Sequence, residues 1–97
     1  MQSTHHISPR FPLGFIVATP AAQELLDDYQ VSPQSLLSRH QLGDWGDLGD
    51  EDRESNEFAV KYGDRLLSSY RLSDTEKVWI ITEHDRSVTT ILLPDDY

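Results

Sequence analysis

The chain contains no cysteine, which excludes a disulfide scaffold, a thiol nucleophile and a thiolate zinc site. Basic residues are scarce too: eight Lys and Arg face seventeen Asp and Glu, for a net charge of −9. Phosphate binding needs a basic surface, so neither duplex DNA nor an anionic membrane is an expected partner. No apolar run approaches the roughly 18 residues that a bilayer span requires. A P-loop, a Gly-x-Gly-x-x-Gly fingerprint and a His-Glu-x-x-His pair are all missing, so most nucleotide and hydrolase chemistries have no motif to rest on. No cofactor and no metal are expected. What is present is 97 residues, enough for one modest core that buries roughly 65% of the unfolded surface.

Residues 1–12 (MQSTHHISPRFP) lack the long apolar stretch of a secretory signal and read as a flexible arm, with the cytoplasm as the default location. His5 and His6 sit next to each other in that arm and lack the fixed geometry of a metal site. Residues 13–97 read as a single α+β domain, two or three helices packed on one face of a three- to four-stranded antiparallel sheet.

The elements follow from local signals. Thr19-Pro20 and Ser32-Pro33 each pair a capping hydroxyl with a proline suited to the first helical position. After the first, Ala22, Leu25, Leu26 and Tyr29 recur at helical spacing; after the second, Leu36, Leu37 and His40 share a side, which predicts an αα-hairpin. His40 reads as a packed, hydrogen-bonded histidine rather than a ligand. The segment 43–50 (GDWGDLGD) reads as a loop pinned by Trp45 and Leu48. A third helix runs from about Asp50 to Tyr62, its acidic first turn suited to the positive end of the helix dipole and Gly63 ending it. Phe58, Ala59 and Tyr62 are its predicted inward side.

From Leu66 the period becomes that of strands. Runs at 66–72, 77–82 and 88–93, joined by the turns 73–76 and 83–87, read as an antiparallel meander, and Phe15 to Ala18 is a candidate fourth, edge strand. In the last run Val88, Thr90 and Leu92 alternate with Thr89, Ile91 and Leu93, apolar on both faces. That suits a strand inside the sheet, with Ile91 in the core.

Two pieces, Gly43-Asp44-Trp45-Gly46-Asp47-Leu48 and the string from Val78 to Pro94 (VWIITEHDRSVTTILLP), resemble a family of small, uncharacterised plasmid-related proteins of bacterial plasmids and integrated elements. The resemblance spans roughly Phe15 to Tyr97. It implies a mobile-element setting and brings no reaction, cofactor or catalytic residue with it.

Two constellations carry enough chemistry to weigh. The first is acidic: Asp44, Asp47, Asp50, Glu51, Asp52, Glu54 and Glu57, offset by Arg53, hold six of the nine net negative charges. Such a surface is either a solvated helix face or a binding face for a basic partner, steered by long-range attraction, with Trp45 as an aromatic anchor. A calcium loop starting at Asp50 fails, because Ser55 stands where the turn needs glycine. The second is the turn Glu83-His84-Asp85-Arg86, whose Glu83, His84 and Arg86 supply a base, an acid and a cation for metal-free RNA cleavage. Side chains in one turn splay, and the plainer role is a hairpin stabilised by Asp85 and Arg86. Trp79 sits on a strand where either face is open to it.

The sequence thus points to a non-enzymatic acidic binding or inhibitor protein of a mobile genetic element, acting on a basic surface of a nucleic-acid-binding or defence protein. A small toxin-like endoribonuclease is the alternative.

Overall fold

Each helix starts where the sequence signals it. The computed structural model describes residues 8–97; the His5-His6 pair lies outside them. Thr19 caps helix α1 (Pro20–Asp28), its hydroxyl accepting the Ala22 N–H at 3.2 Å. Helix α2 (Pro33–Gln41) follows Ser32, and α3 (Asp50–Tyr62) ends at Gly63, whose φ of 83° is the left-handed cap that glycine adopts without strain. Strand β1 (Phe15–Ala18) precedes the helices, and β2 (Leu66–Arg71), β3 (Lys77–Thr82) and β4 (Val88–Leu92) follow them, with a 3-10 turn at Pro94–Asp96. Among the described residues no helix is long and apolar enough to cross a membrane.

The sheet runs β1-β4-β3-β2, with β4 inside it and β1 at one edge. The meander β2-β3-β4 is antiparallel. The expectation of a wholly antiparallel sheet needs correcting: β1 lies parallel to β4, Phe15 opposite Val88 and Ala18 opposite Ile91, so the sheet is mixed. A parallel neighbour needs a long crossover. The three helices and two strands between β1 and β4 provide it, and for the same reason the helices follow the first strand.

Register assigns the faces. Leu66, Ser68, Tyr70, Val78, Ile80, Thr82, Thr89 and Ile91 all point to the helix side and all are buried. Ala22 and Leu26 of α1 and Leu36 and Leu37 of α2 pack onto Tyr70, Val78, Ile80 and Ile91. A second cluster joins Phe11, Trp45, Ala59 and Leu66. Tyr29, predicted to share α1's apolar face, is exposed at the helix end. The N-terminal segment is also tied down from Arg10 onward: Phe11 is buried, Arg10 N–H donates to Gln41 O at 2.8 Å, and the Arg10 guanidinium grips Glu57 through two bonds of 2.9 and 2.7 Å. The described part of the expected arm therefore belongs to the domain.

Beneath the helices runs a buried polar chain. Thr89 Oγ1 donates to Leu13 O at 2.7 Å, and because a carbonyl only accepts, Thr89 must accept from Thr82 Oγ1, also at 2.7 Å. Thr82 then accepts from His40 Nε2 at 2.9 Å, leaving His40 Nδ1 to accept from Ser68 Oγ at 2.6 Å. The direction of the chain fixes one tautomer, with the proton on Nε2. His40 is thus the hydrogen-bonded core histidine that its helical position predicted. Its ring meets Phe11 and Trp45 edge-on, at 5.1 and 5.8 Å between centroids. Burial, followed by the nearby Arg86 charge, pushes its pKa down to about 4, so it is neutral at pH 7.

Candidate interaction surface

Helix α3 should turn Phe58, Ala59 and Tyr62 inward, by its sequence. Of these, Ala59 alone is buried; Phe58 and Tyr62 are 56% and 62% exposed. The residue that takes the inward place is Asn56. Its side-chain amide donates to Leu67 O at 2.7 Å and accepts from Leu67 N–H at 3.1 Å, pairing with β2 as another strand would. Asn56 thereby satisfies two backbone groups on the part-buried edge of β2, and the helix face that meets β2 carries Asn56 and Ala59 rather than the two rings. Hydrophobic periodicity gives no signal for such an asparagine.

With Asn56 inside, Glu51, Glu54, Ser55, Phe58 and Tyr62 form one outward stripe at helical spacing. The Phe58 and Tyr62 rings lie 4.4 Å apart between centroids, tilted by 37°, and Lys61 Nζ lies 5.4 Å from the Tyr62 ring centre. Beside the stripe, Glu51, Glu54, Phe58 and Ala59 line a shallow groove of about 440 Å³ with Asp64 and Arg65 of the following turn.

The seven candidate acids fall into two groups. Asp44 pairs with Arg39 at 2.6 Å, Asp47 with Arg71 at 2.7 Å and Glu57 with Arg10 at 2.7 Å. In each case the guanidinium hydrogen bond is the main cause holding the carboxyl below its ordinary pKa. These three acids pin the 43–48 loop and the N-terminal segment to the body, and their charge is locally balanced. The other four, Asp50, Glu51, Asp52 and Glu54, are exposed on α3. Of these, among the described residues, Asp50 alone has a cation in reach, Arg53 at 3.7 Å, while its own side chain is 99% exposed.

Trp45 is only 4% exposed and belongs to the core: it stacks on Phe11 and donates its indole N–H to Glu57 at 3.0 Å. An aromatic anchor on this surface must therefore be Phe58 or Tyr62. Trp79 lies half-buried on the sheet face away from the helices, edge-on to Tyr97 at 5.9 Å.

The Glu83–Arg86 turn is arranged for structure. Arg86 adopts a left-handed φ of 61° and folds back over the end of α3, donating to Ala59 O at 2.8 Å, Glu83 O at 3.1 Å and His84 O at 3.2 Å, and also to Asp64 O. Asp85 accepts the Ser87 N–H at 3.0 Å. The Glu83 carboxylate turns to Arg65, 3.7 Å away, and His84 is exposed. The guanidinium is thus committed to backbone carbonyls, so Glu83, His84 and Arg86 do not converge on one reacting point as acid–base chemistry on a phosphodiester requires.

No family model, curated protein or solved structure matches this chain.

Proposed function

We propose that this protein is a non-enzymatic binding protein that uses the outer face of α3 to engage a basic protein surface. The observation that carries this reading is the pairing on one helix face of unneutralised acids, Glu51 and Glu54, with an exposed aromatic pair, Phe58 and Tyr62. Long-range attraction from Asp50, Glu51, Asp52 and Glu54 steers a basic partner in, and desolvated aromatic contact supplies most of the affinity. A contiguous exposed aromatic pair rimmed by charged residues is the kind of apolar patch that marks a protein contact. Within a mobile-element setting, the fitting partners are the basic faces of nucleic-acid-binding or defence proteins, which this helix would occupy in place of nucleic acid.

The test compares wild-type protein with two variants as bait in the native host at low and high salt. One variant reverses Asp50, Glu51, Asp52 and Glu54 to Lys; the other is Phe58→Ser. A basic protein captured at low salt, released at high salt and lost with both folded variants supports the proposal. Salt-insensitive capture by the charge-reversed variant sinks it. RNA cleavage by purified protein that disappears in His84→Ala would place function in the turn instead.

A further inference from the structure

The two edges of the sheet are finished differently. On β2 the outward-facing backbone groups of Leu67 and Ser69 are bonded, while those of Arg71, the strand's last residue, have no bonded partner among the described residues and sit beside its charged side chain. Asn56 takes both groups of Leu67, while Ser69 N–H donates to Trp45 O at 3.1 Å and Ser69 O accepts from Asp47 N–H at 2.6 Å. On β1, the Phe15 and Thr19 N–H groups donate to Ser87 O at 3.0 Å and Ile91 O at 2.9 Å of the β4 side. Alternation along a strand then turns the N–H and C=O of Ile16 and Ala18 outward. All four β1 side chains are exposed, Phe15 at 82%, Ile16 at 48% and Val17 at 47%, and none is charged. Among the described residues this edge has neither the covering loop nor the charge that protects a solvent-facing strand.

The geometry points to a second copy of this chain as the occupant of the β1 edge, added antiparallel across a two-fold axis through Ile16. Three features select a copy over another protein. A sheet with one largely covered and one open edge closes at two: once β1 meets β1, only the charged Arg71 end of β2 is left open to a third chain. Charge is compatible as well, because β1 and its neighbours Val88 and Thr90 are neutral, and the acidic α3 packs by β2 at the opposite end of the sheet; Asp96, bonded to Thr19 at 2.6 Å, is an acid beside the end of β1. The pattern is also self-complementary. With Ile16 opposite Ile16, the two exchange a pair of N–H···O bonds, and Phe15 lies against Val17 of the second copy, covering the most exposed large hydrophobic side chain among the described residues. The contact is small, below the roughly 1,200 Å² of a standard interface, so the dimer dissociates on dilution.

The lack of native cysteine makes the test direct. Opposed residues of a hydrogen-bonded antiparallel pair have Cα atoms about 5.5 Å apart, within the span of a disulfide. Ile16→Cys should therefore cross-link to a covalent dimer under mild oxidation much faster than Ser38→Cys, placed on the exposed side of α2. Sedimentation of the wild type should show a concentration-dependent dimer that Ile16→Lys converts to monomer with unchanged circular dichroism. The charge-reversed α3 variant should still dimerise, which separates this result from the fate of the α3 surface. A wild type that stays monomeric, Ile16→Cys cross-linking no faster than Ser38→Cys, or a dimer indifferent to Ile16→Lys would each overturn the assignment. Capture of an extended peptide on β1 by monomeric protein would overturn it in favour of a heterologous partner.

Discussion

The chain around His40 and the outer face of α3 are both polar, and they treat polarity in opposite ways. Around His40, each of Ser68, Thr82, Thr89 and the imidazole has a named partner, because an unpaired polar atom there is far from water. On α3, Glu51, Asp52 and Glu54 have no ion-pair partner among the described residues and remain hydrated. Satisfied polarity inside specifies the fold. Unsatisfied charge outside, next to exposed rings, is free for a partner.

If that contrast holds, the largest effect belongs to His40→Ala. It opens a cavity and strands the Ser68 and Thr82 hydroxyls, a loss of about 3–5 kcal/mol read by urea denaturation. An unchanged midpoint would show that the chain contributes no net stability.

The second effect is a pH dependence. The folded pKa of His40 lies below its unfolded value of 6.5, at about 4, so the unfolded state binds more protons in that window. The stabilisation is fully present above pH 6.5 and is lost as pH falls toward 4, by roughly 3 kcal/mol over the whole interval. His40→Gln should flatten the stability curve between those limits. A variant curve parallel to wild type would place the titration elsewhere.

Third comes the C-terminal end of α3. Arg86→Ala removes a cation shared by several carbonyls and should cost about 1–3 kcal/mol in thermal unfolding. The neighbouring His84→Asn should stay within about 0.5 kcal/mol. Equal losses from the two would mean that the turn works as one wired unit, and that the exposed His84 has a role its surroundings do not suggest.

The smallest change in stability is expected on α3 itself. Phe58→Ser and Glu54→Lys should each shift folding by no more than about 0.5 kcal/mol while weakening partner capture. A large loss from Phe58→Ser would make that ring part of the body and blur the boundary between the two regions.

Reading the residues alone recovered what short-range chemistry decides. Thr19-Pro20, Ser32-Pro33, Asp50 and Gly63 mark helix ends, because caps, proline and left-handed glycine act within one turn. Period-two runs and turn residues located β2, β3 and β4, and two apolar faces correctly put β4 inside the sheet. The site was legible as far as its acids, which are visible as charge. Which of those acids are neutralised was not, because that depends on where Arg10, Arg39 and Arg71 land, residues that folding brings to α3 and the 43–48 loop from separate elements.

Other features rest on bonds between distant residues, and only the tertiary structure decided them. Asn56 turned inward because the edge of β2 offered it two backbone partners, and that choice sent Phe58 and Tyr62 out to solvent. Phe11 joined the core because Trp45 and His40 left a place beside them. The parallel direction of β1 followed from a crossover long enough to return the chain to the same end of the sheet. The sequence by itself determined where elements begin and end, since those signals are local. Which faces meet, which charges are neutralised and which edge stays open were settled by long-range pairing, for which no periodicity in the chain encodes the partner.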